Sequence, residues 1–175
     1  MQENPKQKQV LSCMADILNQ NGFRAQLLPA TENSLLMLRA ESGRLGKVGK
    51  EVTLDACFIP VKLPGEDEGL LQFYVTIFSG LPELYQKVIE ETVAYCNDYC
   101  LLGTMGYYAP AGQIFLKYSV LLDGSPELEK VVTLIADNIS LLIASVSRFI
   151  DALAAAGFTG TPLEAMIDQG LLPQM

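Results

Sequence analysis

The chain has 175 residues, of which half are apolar and only 18% are charged, and this length is that of a single domain with its own core. An ordinary soluble domain has about 25% charged residues, so the apolar excess indicates a partner or a second copy of the chain. The net charge of −8 argues against a binder of nucleic-acid backbone, and the absence of histidine removes the commonest proton-transfer group and metal ligand. We predict a protein that is not an enzyme and that holds no cofactor and no metal.

The first nine residues are polar and lack the apolar stretch of a secretory signal, which predicts a cytoplasmic protein. The longest charge-free run, 99–116, is interrupted by glycines and a proline, so we predict no membrane span. The cysteines form no CxxC pattern and are predicted to be reduced and mostly buried. They are Cys13, Cys57, Cys96 and Cys100.

In chain order, the hydrophobic periodicity begins as that of a helix and then changes to that of strands. Apolar residues at helical spacing predict a first helix over 5–21, ended by Asn21 and Gly22. Alternation then predicts four strands joined as an antiparallel meander. These strands cover 23–28, 34–40, 52–59 and 70–78.

The helical period returns after Gly80 and predicts a second helix from Pro82 to about Leu102. A short strand around 107–108 and a long strand over 113–122 follow it.

A third helix, the longest element, is predicted between the N-cap Ser125 and the C-cap Gly157. A capping-box pattern over 161–164 predicts a short terminal helix. The chain is thus divided into one α+β domain, 1–157, and a C-terminal tail, 158–175. The order α-ββββ-α-ββ-α is typical of an antiparallel sheet with helices against it.

Four features follow one another in the middle of the chain: an Asn near a helix end, Gly-Tyr-Tyr, an Ala-Gly turn, and a strand ending in Asp-Gly-Ser. They lie at Asn97, 106–108, 111–112 and 123–125. In these residues the chain resembles the YbjN-type domain, a family similar in architecture to the type III secretion chaperone fold. The resemblance covers about 10–153 in element order. It implies a small acidic domain, often dimeric, that binds protein segments or acts in regulation without performing chemistry.

One local basic patch stands out, because glycine occurs at every third position of 43–49 beside three basic residues, Arg44, Lys47 and Lys50. A glycine-rich loop can direct N–H groups toward an anion, but the GK[ST] of a P-loop is missing. A mobile hairpin connection is the favoured interpretation, and an anion site is the alternative. The apolar tips, Leu45 and Val48, could instead contact a partner chain. This segment and the tail depart from the family pattern, so no binding residue is transferred from it.

The third helix carries a broad apolar stripe that is predicted to cover the sheet. Leu134 and Leu141 fall outside this stripe, are spaced by seven, and lie beside Ser145 and Arg148. They are either stray surface leucines or part of a helix that packs against a symmetry mate. These four residues form the candidate homodimer interface. The rival interface consists of the second-helix tyrosines, Tyr85, Tyr95 and Tyr99.

The metal alternatives are weaker. Cys96 and Cys100, four apart on the predicted helix, could share a metal ion, but a structural zinc would need Cys13 and Cys57 from distant elements. Burial as small hydrophobes is the favoured interpretation. The acidic turn 66–68 is interpreted as solvated rather than calcium-binding.

The sequence is therefore compatible with three functions. The first is a non-enzymatic protein- or peptide-binding domain with a chaperone-like or regulatory role, a homodimer that holds its partner by exposed strand edges and apolar grooves. The second is a small-molecule or nucleotide sensor whose anion site is 43–50. The third is an enzyme whose site is assembled across the fold, for which no residue pair can be named.

Overall fold

The structure is a computed structural model and describes residues 4–65, 68–123 and 127–174. The predicted α+β fold and its element order are confirmed. The helices and strands are α1 (Pro5–Gln20), β1 (Arg24–Leu28), β2 (Met37–Glu41), β3 (Thr53–Ile59), β4 (Glu68–Phe78), α2 (Gln86–Asn97), β5 (Thr104–Tyr108), β6 (Gln113–Asp123), α3 (Leu128–Ala154) and α4 (Leu163–Asp168).

The strands form one six-stranded sheet in the order β1-β2-β3-β4-β6-β5. Every neighbouring pair is antiparallel, and the first four strands form the predicted meander. The long strands β4 and β6 lie side by side in the middle, and the short strands β1 and β5 form the two edges.

The helices cover one face of this sheet. α1 packs on β1 and β2, α3 on β4 and β6, and α2 on β5, while α1 and α2 both contact α3. Side chains of a strand point alternately to the two faces, so every second residue of β4, such as Leu71, Phe73 and Val75, is buried under the helices. The core is the apolar layer between the helices and this face.

The helix formed by α3 and its continuation, Leu128–Thr159, is long and apolar enough to cross a membrane by length and composition alone. Half of its most apolar window is buried inside the protein. The predicted stripe, including Ile135, Leu142 and Phe149, is the buried side. In this fold the apolar length of the helix is explained by the sheet that it covers.

The second helix is shorter than predicted. It begins after a single 3₁₀ turn, Glu83–Tyr85, and ends at Asn97 rather than near Leu102. The chain turns here because the Asn97 side chain bonds to the backbone of Met105, which brings β5 back alongside the helix.

The predicted end of α3 is wrong. Gly157 does not cap the helix but lies buried inside a π-helical turn, Ala155–Thr159. The helix ends at Gly160, which has a φ of +63°. Gly157 is small for a packing reason, because a Cβ there would come within 2.9 Å of the Leu81 side chain. The predicted N-cap Ser125 lies outside the described residues.

The capping box of the tail is also wrong, because α4 follows Pro162 and receives no side-chain cap. The tail docks on its own chain. Met166 and Leu172 are buried in the common core, and the hydroxyl of Tyr95 donates to the carbonyl oxygen of Pro173 at 2.6 Å. The described part of the tail therefore shares the core of the domain.

Candidate binding surfaces

The predicted interface on α3 is partly at the surface. Leu134 and Leu141 are 46% and 41% exposed, and a third leucine, Leu101, is 57% exposed. Leu101 lies near Leu141 because its backbone N–H donates to Ser145 Oγ, one turn after Leu141. These three leucines are called the α3 leucine face below.

Ser145 does not belong to this surface. It is fully buried, and its hydroxyl donates to the Leu141 carbonyl while it accepts from Leu101. Arg148 is exposed but holds its guanidinium 5.8 Å from the Tyr99 ring centre, a cation–π distance. Ser145 therefore positions the loop that carries Leu101 and contributes no exposed surface.

The rival tyrosines are less accessible than the leucines. Tyr95 is buried and bonded to the tail. Tyr85 packs against the core, and its ring fills the space beside Gly160.

The basic segment is a tight hairpin fixed to α3. The backbones of Leu45 and Lys50 pair with each other at 2.9 and 3.1 Å, and the turn between them is held by Asp151. This carboxylate accepts from the N–H of Lys47 at 3.0 Å and of Val48 at 2.8 Å. The predicted hairpin is present, and its turn is anchored to α3 through Asp151.

The same contact bears on the predicted anion site. The two turn amides that would face an anion already bind the carboxylate of Asp151. Leu45 is half-buried against the core, whereas Arg44, Lys47 and Val48 are exposed. The hairpin thus offers exposed cations but no free pair of turn amides.

The cysteines are free thiols. Cys96 is buried in α2, whereas Cys100 lies beyond the end of the helix, so the two are not on one helical face as predicted. Burial raises the pKa of Cys96 to about 12, and it also raises the pKa values of Cys57 and Cys100. No group of three His, Cys, Asp or Glu residues that could hold a metal ion occurs in the described chain. Of the acidic turn 66–68, Glu66 and Asp67 lie outside the described residues.

The Cys96 thiol predicts a loss of stability at alkaline pH. Its folded pKa is raised above the ordinary value of 9.0, so its contribution is complete below pH 9.0 and is lost as the pH rises toward 12, by up to about 1.4 kcal/mol per pH unit. We expect the free energy of unfolding in urea to fall less steeply above pH 9 in Cys96→Ala than in the parent. Equal slopes would contradict this assignment.

The second face of the sheet carries the feature that the sequence analysis missed. No described helix packs on this face, and a solvated antiparallel face is ordinarily polar. Here six apolar side chains form an oblique band from β1 to β6, and none of them packs against the core. This apolar band consists of Leu28, Met37, Cys57, Ile59, Leu70 and Leu121.

The strand register makes the band continuous. Met37 pairs with both Leu28 and Cys57, and Leu70 pairs with both Ile59 and Leu121. The sequence signal is a series of adjacent apolar pairs in which one residue enters the core and the other faces outward. These pairs are Leu27–Leu28, Met37–Leu38, Phe58–Ile59, Leu70–Leu71 and Leu121–Leu122.

Beyond the band, the same face carries internally paired polar groups and one aromatic pair, Tyr74 stacked on Phe115 with ring centres 4.9 Å apart. Arg39 and Asp55 form a two-point ion pair at 2.7 and 2.9 Å, and Gln72 donates to Ser119 at 3.1 Å. At its other side the band continues into a cleft of about 250 Å³. Its apolar lining includes Leu35, Leu36, Pro60 and Val61.

Each edge strand of the sheet is bonded at one residue by an asparagine side chain from a neighbouring helix. Asn19 of α1 accepts from the N–H of Ala25 at 2.8 Å and donates to its carbonyl at 2.9 Å. Asn97 of α2 does the same with Met105, at 2.8 and 3.0 Å. Each amide thus takes the place of a neighbouring strand at one residue of the edge, which hinders a partner from adding a strand at that position.

Comparison with known proteins places the chain in no family. No family model matches it, and no curated protein matches it closely enough to count as a relative. The resemblance to the YbjN-type domain stays a prediction.

Proposed function

We propose that the protein is a non-enzymatic binding protein that works in the cytoplasm as a homodimer and holds an apolar segment of another protein. The apolar band carries this proposal, because a contiguous apolar patch on a sheet face that no described helix covers is typical of an interaction site. Leu121 at its end is 54% exposed. The role is chaperone-like or regulatory.

Two further observations support binding without catalysis and a reducing compartment. The chain has no histidine, and the band contains no charged group that could act as an acid or a base. The four free thiols suit the cytosol. The segment is held on the face of the sheet rather than at its edges, each of which is occupied at one residue by Asn19 or Asn97.

We test the binding surface by photo-crosslinking in the source cell, with p-benzoylphenylalanine in place of Leu121 in one variant and of the exposed Ser147 on α3 in a control. We expect a distinct crosslinked protein with the reporter at Leu121 and none at Ser147. The absence of a product at both positions, or the same product from both, would overturn the proposal that the band binds a partner.

The homodimer is proposed to form through the α3 leucine face. Two of its leucines, Leu134 and Leu141, are spaced by seven along one side of a long helix, a pattern that suits packing between two helices. A two-fold dimer pairs the same patch of both copies. The band remains open on the opposite side of the sheet, so each copy can hold one segment.

The double variant Leu134→Asp/Leu141→Asp is expected to be a monomer of 19.1 kDa, with the parent at twice that mass, because four carboxylates would be brought together in the interface. Light scattering after size-exclusion chromatography measures this. Ser140→Asp/Ser147→Asp, which places two acids at the same spacing on another exposed side of α3, is expected to remain dimeric. A monomeric parent would refute the homodimer.

A further inference from the structure

We infer that the segment held by the apolar band is an amphipathic α-helix with basic residues along one flank, a conclusion that rests on the proposed function. Shape, backbone chemistry and charge each point to this occupant.

The band has the length of a short helix. It crosses β1, β2, β3, β4 and β6 in neighbouring order, so it spans four strand spacings of about 4.8 Å, or about 19 Å. About 13 residues of α-helix, at 1.5 Å each, cover that distance. The band is one side chain wide on every strand except β3, which contributes both Cys57 and Ile59, and a band this narrow suits the apolar stripe of one helix.

The backbone of the partner favours a helix over an extended chain. A segment on an apolar surface must satisfy its own N–H and C=O groups, which cost free energy when they are buried without partners. A helix does so internally, whereas an extended peptide would need a free sheet edge. The edges are occupied at Ala25 and Met105 by the two asparagines.

The charges beside the band indicate which flank of the bound helix carries basic residues. Glu68 lies on the uncovered face, one row beyond Leu70, and lines the cleft that adjoins the band. The cleft adjoining the band also bears Glu32, and the whole chain carries −8. On the opposite side of the band the Arg39–Asp55 pair is neutral. Lysine or arginine along the flank next to Glu68 would therefore complement this border.

The test uses three labelled 14-residue peptides and the full chain, followed by fluorescence anisotropy. One peptide places leucine and lysine at helical spacing, the second has the same composition at alternating spacing, and the third is helical with glutamate in place of lysine. We expect the first to bind at least ten times more tightly than the other two. Leu121→Gln is expected to weaken it at least tenfold, and the control Leu84→Gln, also at an exposed leucine, to leave it unchanged.

Equal binding of the alternating peptide, or no effect of Leu121→Gln, would overturn the helix inference while crosslinking at Leu121 could still uphold the binding function. If both experiments failed, the helix inference and the proposed binding function would both be refuted. Two other occupants are tested alongside. Loss of dimerisation in Leu121→Gln would assign the band to a second copy, and binding to phosphatidylcholine vesicles that Leu121→Gln abolishes would assign it to a lipid surface; either result overturns the inference.

Discussion

Gly112→Ala is expected to lower the free energy of unfolding by about 3 kcal/mol or more, the sum of a left-handed alanine at about 1 to 2 kcal/mol and of lost hydrogen bonds at about 1 kcal/mol each. Gly112 has a φ of +54°, and a Cβ there would overlap the backbone of Leu81. The two chain segments are joined by backbone bonds at 3.0 Å, from Gly80 to Ala111 and from Leu81 to Gly112. Urea unfolding followed by circular dichroism measures the loss.

The matched control is Gly170→Ala. Gly170 has a similar φ of +70° but no heavy atom within 4 Å of the Cβ position, so only the conformational cost of about 1 kcal/mol is expected. If the two alanine variants were equally destabilised, the close approach of the segments at Gly112 would not be the cause.

Asn97→Ala is expected to lower the free energy of unfolding by about 2 to 4 kcal/mol, because it leaves the N–H and C=O of Met105 without partners. Met105 is only 2% exposed, so water cannot easily replace the amide. The variant also frees the edge of β5, and we expect concentration-dependent association. Urea unfolding and size-exclusion chromatography at increasing concentration measure the two effects.

Asn21→Ala controls for the loss of an asparagine at a helix end. Asn21 makes one side-chain bond, to the Ile17 carbonyl at an exposed site, and its removal is expected to cost less than about 1 kcal/mol without association. A stable, unassociated Asn97→Ala protein would contradict the role of Asn97 as an edge block.

The order of helices and strands could be predicted because the apolar periodicity is strong in each element. The helix ends were harder to predict, since they depend on contacts between distant residues. Gly157 has the residue type of a C-cap, yet it is a glycine because Leu81 packs against it, and the helix continues to Gly160. Asn97 ends α2 through Met105, a contact that no local pattern reveals.

The candidate surfaces could likewise be predicted where the signal lies within one element, and not where it depends on contacts between distant residues. Helical spacing predicts Leu134 and Leu141 at the surface, and they lie there. Ser145, four residues after Leu141 on the same side of the helix, is covered by the loop that carries Leu101. The band cannot be recognised from the pattern of any single strand, because its members come from five strands. Leu70 and Leu121 become neighbours only through the pairing of β4 with β6.

The contact between the hairpin and Asp151 also constrains the order of events during synthesis. Val48 and Asp151 are 103 positions apart, so the ribosome must add at least those 103 residues after Val48 before this contact can form. Until then the nascent sheet lacks α3, and the part of its core face that lies over β4 and β6 has no helix to cover it. A newly made chain thus exposes apolar side chains on both faces of the sheet until α3 packs on one of them.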